Sequence, residues 1–431
     1  VRRNTHWDNR LWTVGGYRNW CELADLFEPH VKQYDIEFAT HRVAYVVSNH
    51  LEALIVVAGA LRHDLDFMVI PLERCSTPME QRLALAGFSV YVVCDNLFVS
   101  TVAVKGEPGR ITLITSGTTG EPKFVEHSWL SINTFDRVKP GAKYDWIVPY
   151  QVGTYAWFQM VALSISVSEQ GLIPMSTNDL THLFEEAVIA GASAISSTPT
   201  FWRMAFMQIE ESLIRRIRLR QITLGGEVVD QKILDALRMQ YPMARVSHIF
   251  ASSEVGACIV VNDGLAGFPA KLLQHDDTRT WQIRIDQGEL WVRSRYAASD
   301  VIDWINTGDL VTHNGDRIFF VGRSDQTMIN IGGNKAYPGD IERLLLSHPN
   351  LIWCRVYAHK APLLGYLAAA DVCLRPGCEI TEAEKILTQY CEIHLPDYAV
   401  PRIWQFLDNI PVTDNLKAEL KCVQNRTCSA R

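Results

Sequence analysis

Residues 111–124 read ITLITSGTTGEPKF. Four residues suited to a strand run into a Thr/Ser/Gly cluster that ends on Lys123. Glycine lets successive backbone N–H groups turn inward with no Cβ in the way, and such a nest binds anions. Ser and Thr hydroxyls add donors, and a lysine at the end supplies a point charge for a polyphosphate. The spacing is not Gly-Lys-Ser/Thr feeding a helix, because Pro122 lies between Glu121 and Lys123. Taken alone, the stretch reads equally well as a surface loop, so its surroundings decide.

Strand and helix patterns alternate on both sides of it. RVAYVV (42–47) reads as a strand, followed by a helix with Ser48 or Asn49 as N-cap. DFMVIPL and SVYVVCD repeat the strand pattern, and apolar runs of this kind suit strands covered on both faces. Ser128 is placed to cap a helix over WLSINTFDRV. KYDWIVPY, GLIPM, ASAISSTP, QITLGGE and RVSHIFASSE continue the alternation, with a helix near 179–190. From about residue 281, short strands with Gly and Asn turns indicate an antiparallel β subdomain. TMINIGGNKAYPGDIERLLLSHP then reads strand, Gly-Gly turn and helix, with Pro338 at the helix start. The expected class is α/β. A large N-terminal domain (1–322) of two α/β subdomains plus a small β subdomain is joined by a hinge at 323–327 to a small C-terminal α/β domain (328–431).

Composition narrows the function classes. The 431 residues are 48% hydrophobic and 21% charged, with a net charge of −7 and no basic block. That argues against a nucleic-acid surface. The ten cysteines show no CxxC and no zinc-like spacing, which fits reduced thiols and a cytoplasmic location. No segment is apolar enough for a membrane span, and the polar, Trp-rich start lacks a signal-peptide pattern.

TSGTTGEPK resembles the signature phosphate loop of the adenylate-forming superfamily, which holds acyl- and aryl-CoA synthetases, nonribosomal peptide synthetase adenylation domains and luciferases. Further motifs follow in that superfamily's order: GGE (225–227), FASSE (250–254), WINTGD (304–309), GRSD (322–325), GGNKAYPGDIE (332–342) and PVTDNLK (411–417). The resemblance runs from about residue 42 to 422.

It implies ATP- and Mg²⁺-dependent activation of a carboxylic acid as an acyl-adenylate. Transfer then goes to a thiol, either CoA or the phosphopantetheine of an acyl or peptidyl carrier protein. By that resemblance Thr115, Ser116, Gly117, Thr118, Thr119, Gly120 and Lys123 hold the phosphates. Gly225, Gly226, Glu227, Phe250, Ala251, Ser252 and Ser253 border the nucleotide, and Glu254 holds Mg²⁺. Asp309 takes the ribose hydroxyls and Arg323 assists. Asp325 is the hinge, Gly332 and Gly333 line the thiol path, and Lys417 is the catalytic lysine, with Lys421 as fallback. Phe250 and Ala251 stand where the family has Tyr and Gly, and Trp304 stands for Tyr. Asn330 replaces a common Lys, and Leu416 replaces a Gly. The acyl pocket is expected around Tyr150, Tyr155, Trp157 and Phe158, four residues that suit core packing equally well. Members of the family that select α-amino acids place an Asp there for the ammonium, and none lies between Trp146 and Ser166, so the resemblance implies a non-amino carboxylic acid of small to medium size. Alternatives are a stand-alone adenylation enzyme loading a carrier, an amide-forming variant, and a degenerate nucleotide-binding scaffold.

Overall fold

A computed structural model describes residues 5–13, 16–33, 41–95, 97–99, 104–116, 122–135, 141–176, 179–275, 280–301, 303–324, 328–331, 334–361, 365–412 and 418. Two mainly parallel sheets form the large N-terminal part. The six-stranded sheet runs Leu97–Val99, Phe88–Val92, Arg42–Val47, Asp66–Pro71, Arg110–Ser116, Pro122–Ser128. Its four middle strands are parallel and its two edges antiparallel. Val43 to Val47 are all buried, as an apolar run in a covered parallel strand requires.

The eight-stranded sheet runs Gly256–Val261, Arg245–Ser252, Gln221–Gly225, Ala194–Ser197, Tyr144–Val148, Gln170–Pro174, Arg10–Thr13, Gly16–Asn19. All but the two outermost strands are parallel to their neighbours. One apolar cluster joins the two sheets through the helices Trp20–Gln33, His50–Arg62 and Tyr155–Ser166. Asn49 caps the second of these helices, accepting from Glu52 N–H at 3.0 Å.

A five-stranded antiparallel sheet follows: Phe268–Pro269, Arg317–Arg323, Ile305–Asn314, Glu289–Ser294, Trp281–Asp286. The C-terminal part has its own core between the sheet Leu351–Ala361, Gly365–Leu374, Ile403–Phe406 and the helices Pro338–Ser347 and Ile380–His394. The architecture is thus a large N-terminal domain with a small C-terminal one. No helix among the described residues is long and apolar enough to cross a membrane.

One sequence expectation needs correction, and one strand was not foreseen. The helix after Ser128 is only Trp129–Ile132. Asn133 Oδ1 takes Phe135 N–H at 3.2 Å, a local side-chain bond that competes with the helix. Ahead of residue 42, Arg10–Thr13 forms a parallel strand beside Gln170–Pro174. A four-residue strand carries too short an alternation to be seen without its partner.

Candidate active site

In the eight-stranded sheet, adjacent parallel strands end together. Their carboxyl ends deliver Tyr150, the Ser197–Thr198 turn, Gly225–Glu227 and Ser252–Glu254 to one edge. Open α/β sheets bind ligands in the crevice outside such strand ends.

The quoted stretch is the tip of a hairpin. Arg110–Ser116 pairs antiparallel with Pro122–Ser128, with Thr115 opposite Lys123 and Ser116 opposite Pro122. Gly117, Thr118, Thr119 and Gly120 lie outside the described residues, as do Asp325, Gly332, Gly333, Leu416, Lys417 and Lys421. The far end of the hairpin is pinned by charge: Arg42 and Arg110 reach Glu126 at 2.5 and 3.1 Å, and Arg42 reaches Asp66 at 3.5 Å.

Buried His127 fastens this hairpin to the turn carrying Glu254. Its Nε2 lies 2.8 Å from Ser253 O and its Nδ1 2.9 Å from Ser131 Oγ. A carbonyl oxygen only accepts, so Nε2 carries the proton and Nδ1 accepts from the hydroxyl. Burial lowers the imidazole pKa, which keeps it neutral. Two backbone bonds complete the junction, Ser299 N–H to Glu126 O at 2.8 Å and Ala298 N–H to Glu254 O at 2.9 Å. The exposed Lys123, four residues before His127, is on the same strand.

The Glu254 turn is built by Ser252, whose Oγ accepts both Glu254 N–H and Val255 N–H at 3.3 Å. Ser253 Oγ donates to Glu254 Oε2 at 3.2 Å. The Glu254 carboxylate, with the hydroxyls beside it, would hold a Mg²⁺, which would supply neutralising charge there. Among the described residues no group of three or more His, Cys, Asp or Glu is placed to hold a metal.

Glycine is needed in the GGE segment at Gly226, where φ is +80°. Glu227 then turns back on the sheet edge. Its Oε2 accepts Thr200 N–H at 2.9 Å; its Oε1 accepts Thr200 Oγ1 at 2.9 Å and Ala418 N–H at 2.7 Å. Asp309 and Arg323 face each other across two antiparallel strands, with Nη1 to Oδ1 at 3.4 Å. Phe250 stacks on Phe320 at 5.0 Å, which ties their sheet to the strand running into Glu254.

The four aromatic candidates divide. Trp157 and Phe158 are 1% and 0% exposed and pack edge-to-face in the shared core. Tyr155 OH accepts Ala257 N–H at 3.0 Å and so braces the strand after Glu254. Tyr150 OH meets Ser196 Oγ at 3.1 Å, and burial pushes its pKa up to about 12, the Glu227 carboxylate adding to the effect.

Sequence reasoning missed His127, Thr200 and Lys232. A lone His in an alternating strand carries no signal. The Ser128-x-x-Ser131 capping box beside it does, because it marks where the strand must stop.

Comparison with known proteins extends this geometry. A family model described as AMP-binding enzyme matches residues 111–299, and one described as AMP-binding enzyme C-terminal domain matches residues 340–417. A feruloyl-CoA synthase from Amycolatopsis sp is 31% identical over 135 residues, covering 30% of this chain and only 27% of that protein. A 2-succinylbenzoate–CoA ligase from Bacillus subtilis is 24% identical over 351 residues, covering 74% of this chain and 68% of the ligase. Among solved structures, an amide bond synthetase from Marinactinospora thermotolerans superposes with a TM-score of 0.73 at 17% identity, covering 96% of this chain and 94% of that one.

Proposed function

Because this chain belongs to the adenylate-forming superfamily, we propose that it uses ATP to activate a carboxylic acid as an acyl-adenylate and passes the acyl group to a thiol, CoA or a carrier's phosphopantetheine. The observation that carries this reading is the His127–Ser253 bond, which holds the phosphate hairpin against the turn of Glu254.

In this reading the hairpin's backbone and Lys123 hold the β- and γ-phosphates, and Asp309 accepts hydrogen bonds from the ribose hydroxyls. Glu254, with the hydroxyls beside it, holds Mg²⁺, which supplies neutralising charge to the phosphate oxygens when bound. A carboxylate anion repels ATP, so positioning and charge neutralisation supply most of the acceleration. The substrate's carboxylate oxygen attacks the α-phosphorus, and the bond to pyrophosphate breaks. Lys417 is assigned to the charge that develops there. In the second half-reaction the thiol sulfur attacks the acyl carbonyl, its proton is lost and AMP departs.

The test is isotope exchange between pyrophosphate and ATP over a panel of carboxylic acids, followed by CoA, a pantetheinylated carrier and amines as acceptors. Exchange with at least one non-amino acid is expected. Silence with every acid would overturn the reading in favour of a nucleotide-binding scaffold. Amines belong in the panel because an amide bond synthetase shares this fold.

A further inference from the structure

The N-terminal part grips the C-terminal part at two separate places, through a helix residue and through the turn that precedes that helix. Lys232, on Gln231–Gln240, donates from Nζ to the carbonyls of His348 and Leu351 at 2.8 and 2.5 Å. His348 closes the helix Pro338–Ser347, so the ammonium sits on the negative end of that helix. The second grip is Glu227, which takes Ala418 N–H at 2.7 Å while holding Thr200 of the helix Pro199–Gln208. Ala418 forms an antiparallel bridge with Val412, and both pack in a small cluster with Met204 of that helix and with Trp353, Cys373 and Ile410. An Arg203–Asp230 ion pair joins the helix Pro199–Gln208 to the N-cap of Gln231–Gln240.

The two grips use opposite chemistry, a cation on carbonyls and a carboxylate on an N–H. Both contacts run between the N-terminal and C-terminal parts. Burial and the nearby Arg375 and Arg203 push the Lys232 ammonium down to about 8, against Asp230 and Cys354, which act the other way.

We propose that Lys232 and Glu227 are positioning residues that hold the C-terminal part in the orientation used for acid activation and release it for acyl transfer. The inference rests on the acid-activating reading above. Lys417 directly precedes Ala418 in the chain. The Glu227 bond therefore fixes the backbone one residue from the expected catalytic lysine.

The experiment uses the full chain with Lys232→Met, Lys232→Arg and Glu227→Ala. Hydrogen exchange is followed in peptides covering 345–352 and 407–418, and the two half-reactions are measured separately. The signature is cross-loosening. Lys232→Met should speed exchange around Ala418 about tenfold, and Glu227→Ala should do the same around 348–351, each the scale of one lost charge-assisted hydrogen bond. In Lys232→Met acid activation should fall about tenfold or more, while transfer from supplied acyl-adenylate is unchanged or faster. Lys232→Arg, which keeps the donors, should restore both. If Glu227→Ala fails to fold because Thr200 loses its partners, Lys232→Met decides alone. Exchange altered only at each residue's own contact would overturn the proposal, as would an equal fall in both half-reactions. Cross-loosening in a protein that activates no acid would sink the functional reading above and with it the positioning role, leaving only a docking contact.

Discussion

One imidazole sets how the phosphate hairpin faces Glu254. His127 is buried with both ring nitrogens bonded, so a ring without nitrogens strands Ser253 O and removes one of the partners of Ser131 Oγ, which keeps those at Ser128. His127→Phe should destabilise the protein by about 2–4 kcal/mol, read in urea melts, and should lower pyrophosphate exchange in parallel. The pH dependence has a definite sign. With its folded pKa below 6.5, His127 supports stability fully above that value and loses it as pH falls and the unfolded chain takes up the proton. The phenylalanine variant should lack this slope. Lys417→Ala should reduce acid activation by at least roughly 10²-fold, the scale for one group that meets charge only in the transition state. Undiminished exchange in that variant would remove Lys417 from the reaction and turn attention to Lys421.

Gly153 shows how an element is seated by what it lacks. It turns the chain from strand Tyr144–Val148 into helix Tyr155–Ser166 with φ at +81°, and an added Cβ would stand 2.3 Å from Val69 O in the other sheet. Gly153→Ala therefore combines a left-handed penalty of about 1–2 kcal/mol with a backbone clash. Its urea midpoint should fall accordingly, and the two sheets should part at the edge bearing Tyr150.

The helix Pro338–Ser347 holds a different tension. Glu342 turns its carboxylate inward onto Val356 N–H at 2.7 Å, and burial raises it to about 7, with Arg355 acting the other way. The folded pKa lies above the unfolded value. This contribution to stability is therefore fully present below about 4.5 and is lost as pH rises through about 7. Glu342→Gln keeps an acceptor for Val356 and removes the titration. It should be more stable than the native chain at pH 8, by on the order of 1–3 kcal/mol, and nearly equal to it at pH 5.

The two large sheets share a core across their helices, while the C-terminal sheet has its own. We propose that residues 323–327 divide the two parts as a hinge. A protease nick between Arg323 and Asn334 should yield two fragments that still elute together, held by the contacts of Lys232 and Glu227. Fragments that separate at once, or a chain that resists cleavage there, would count against the division.

The residues by themselves determined the α/β alternation, the antiparallel strands after 281 and the order of the nucleotide motifs. Each is a local signal: a period, a cap, a turn residue or a short ordered string. Ser128 and Pro338 could be placed from their neighbours alone, because a helix start is decided within one turn, whereas the structure chose Asn49 over Ser48 as a cap. Tertiary structure decided what those elements meet. It placed Trp157 and Phe158 in the core, paired Arg10–Thr13 with a strand some 160 positions away, and set His127 on Ser253 and Glu227 on Ala418. Such contacts join residues far apart in the chain, and no local propensity encodes which distant group will satisfy a buried carbonyl or carboxylate.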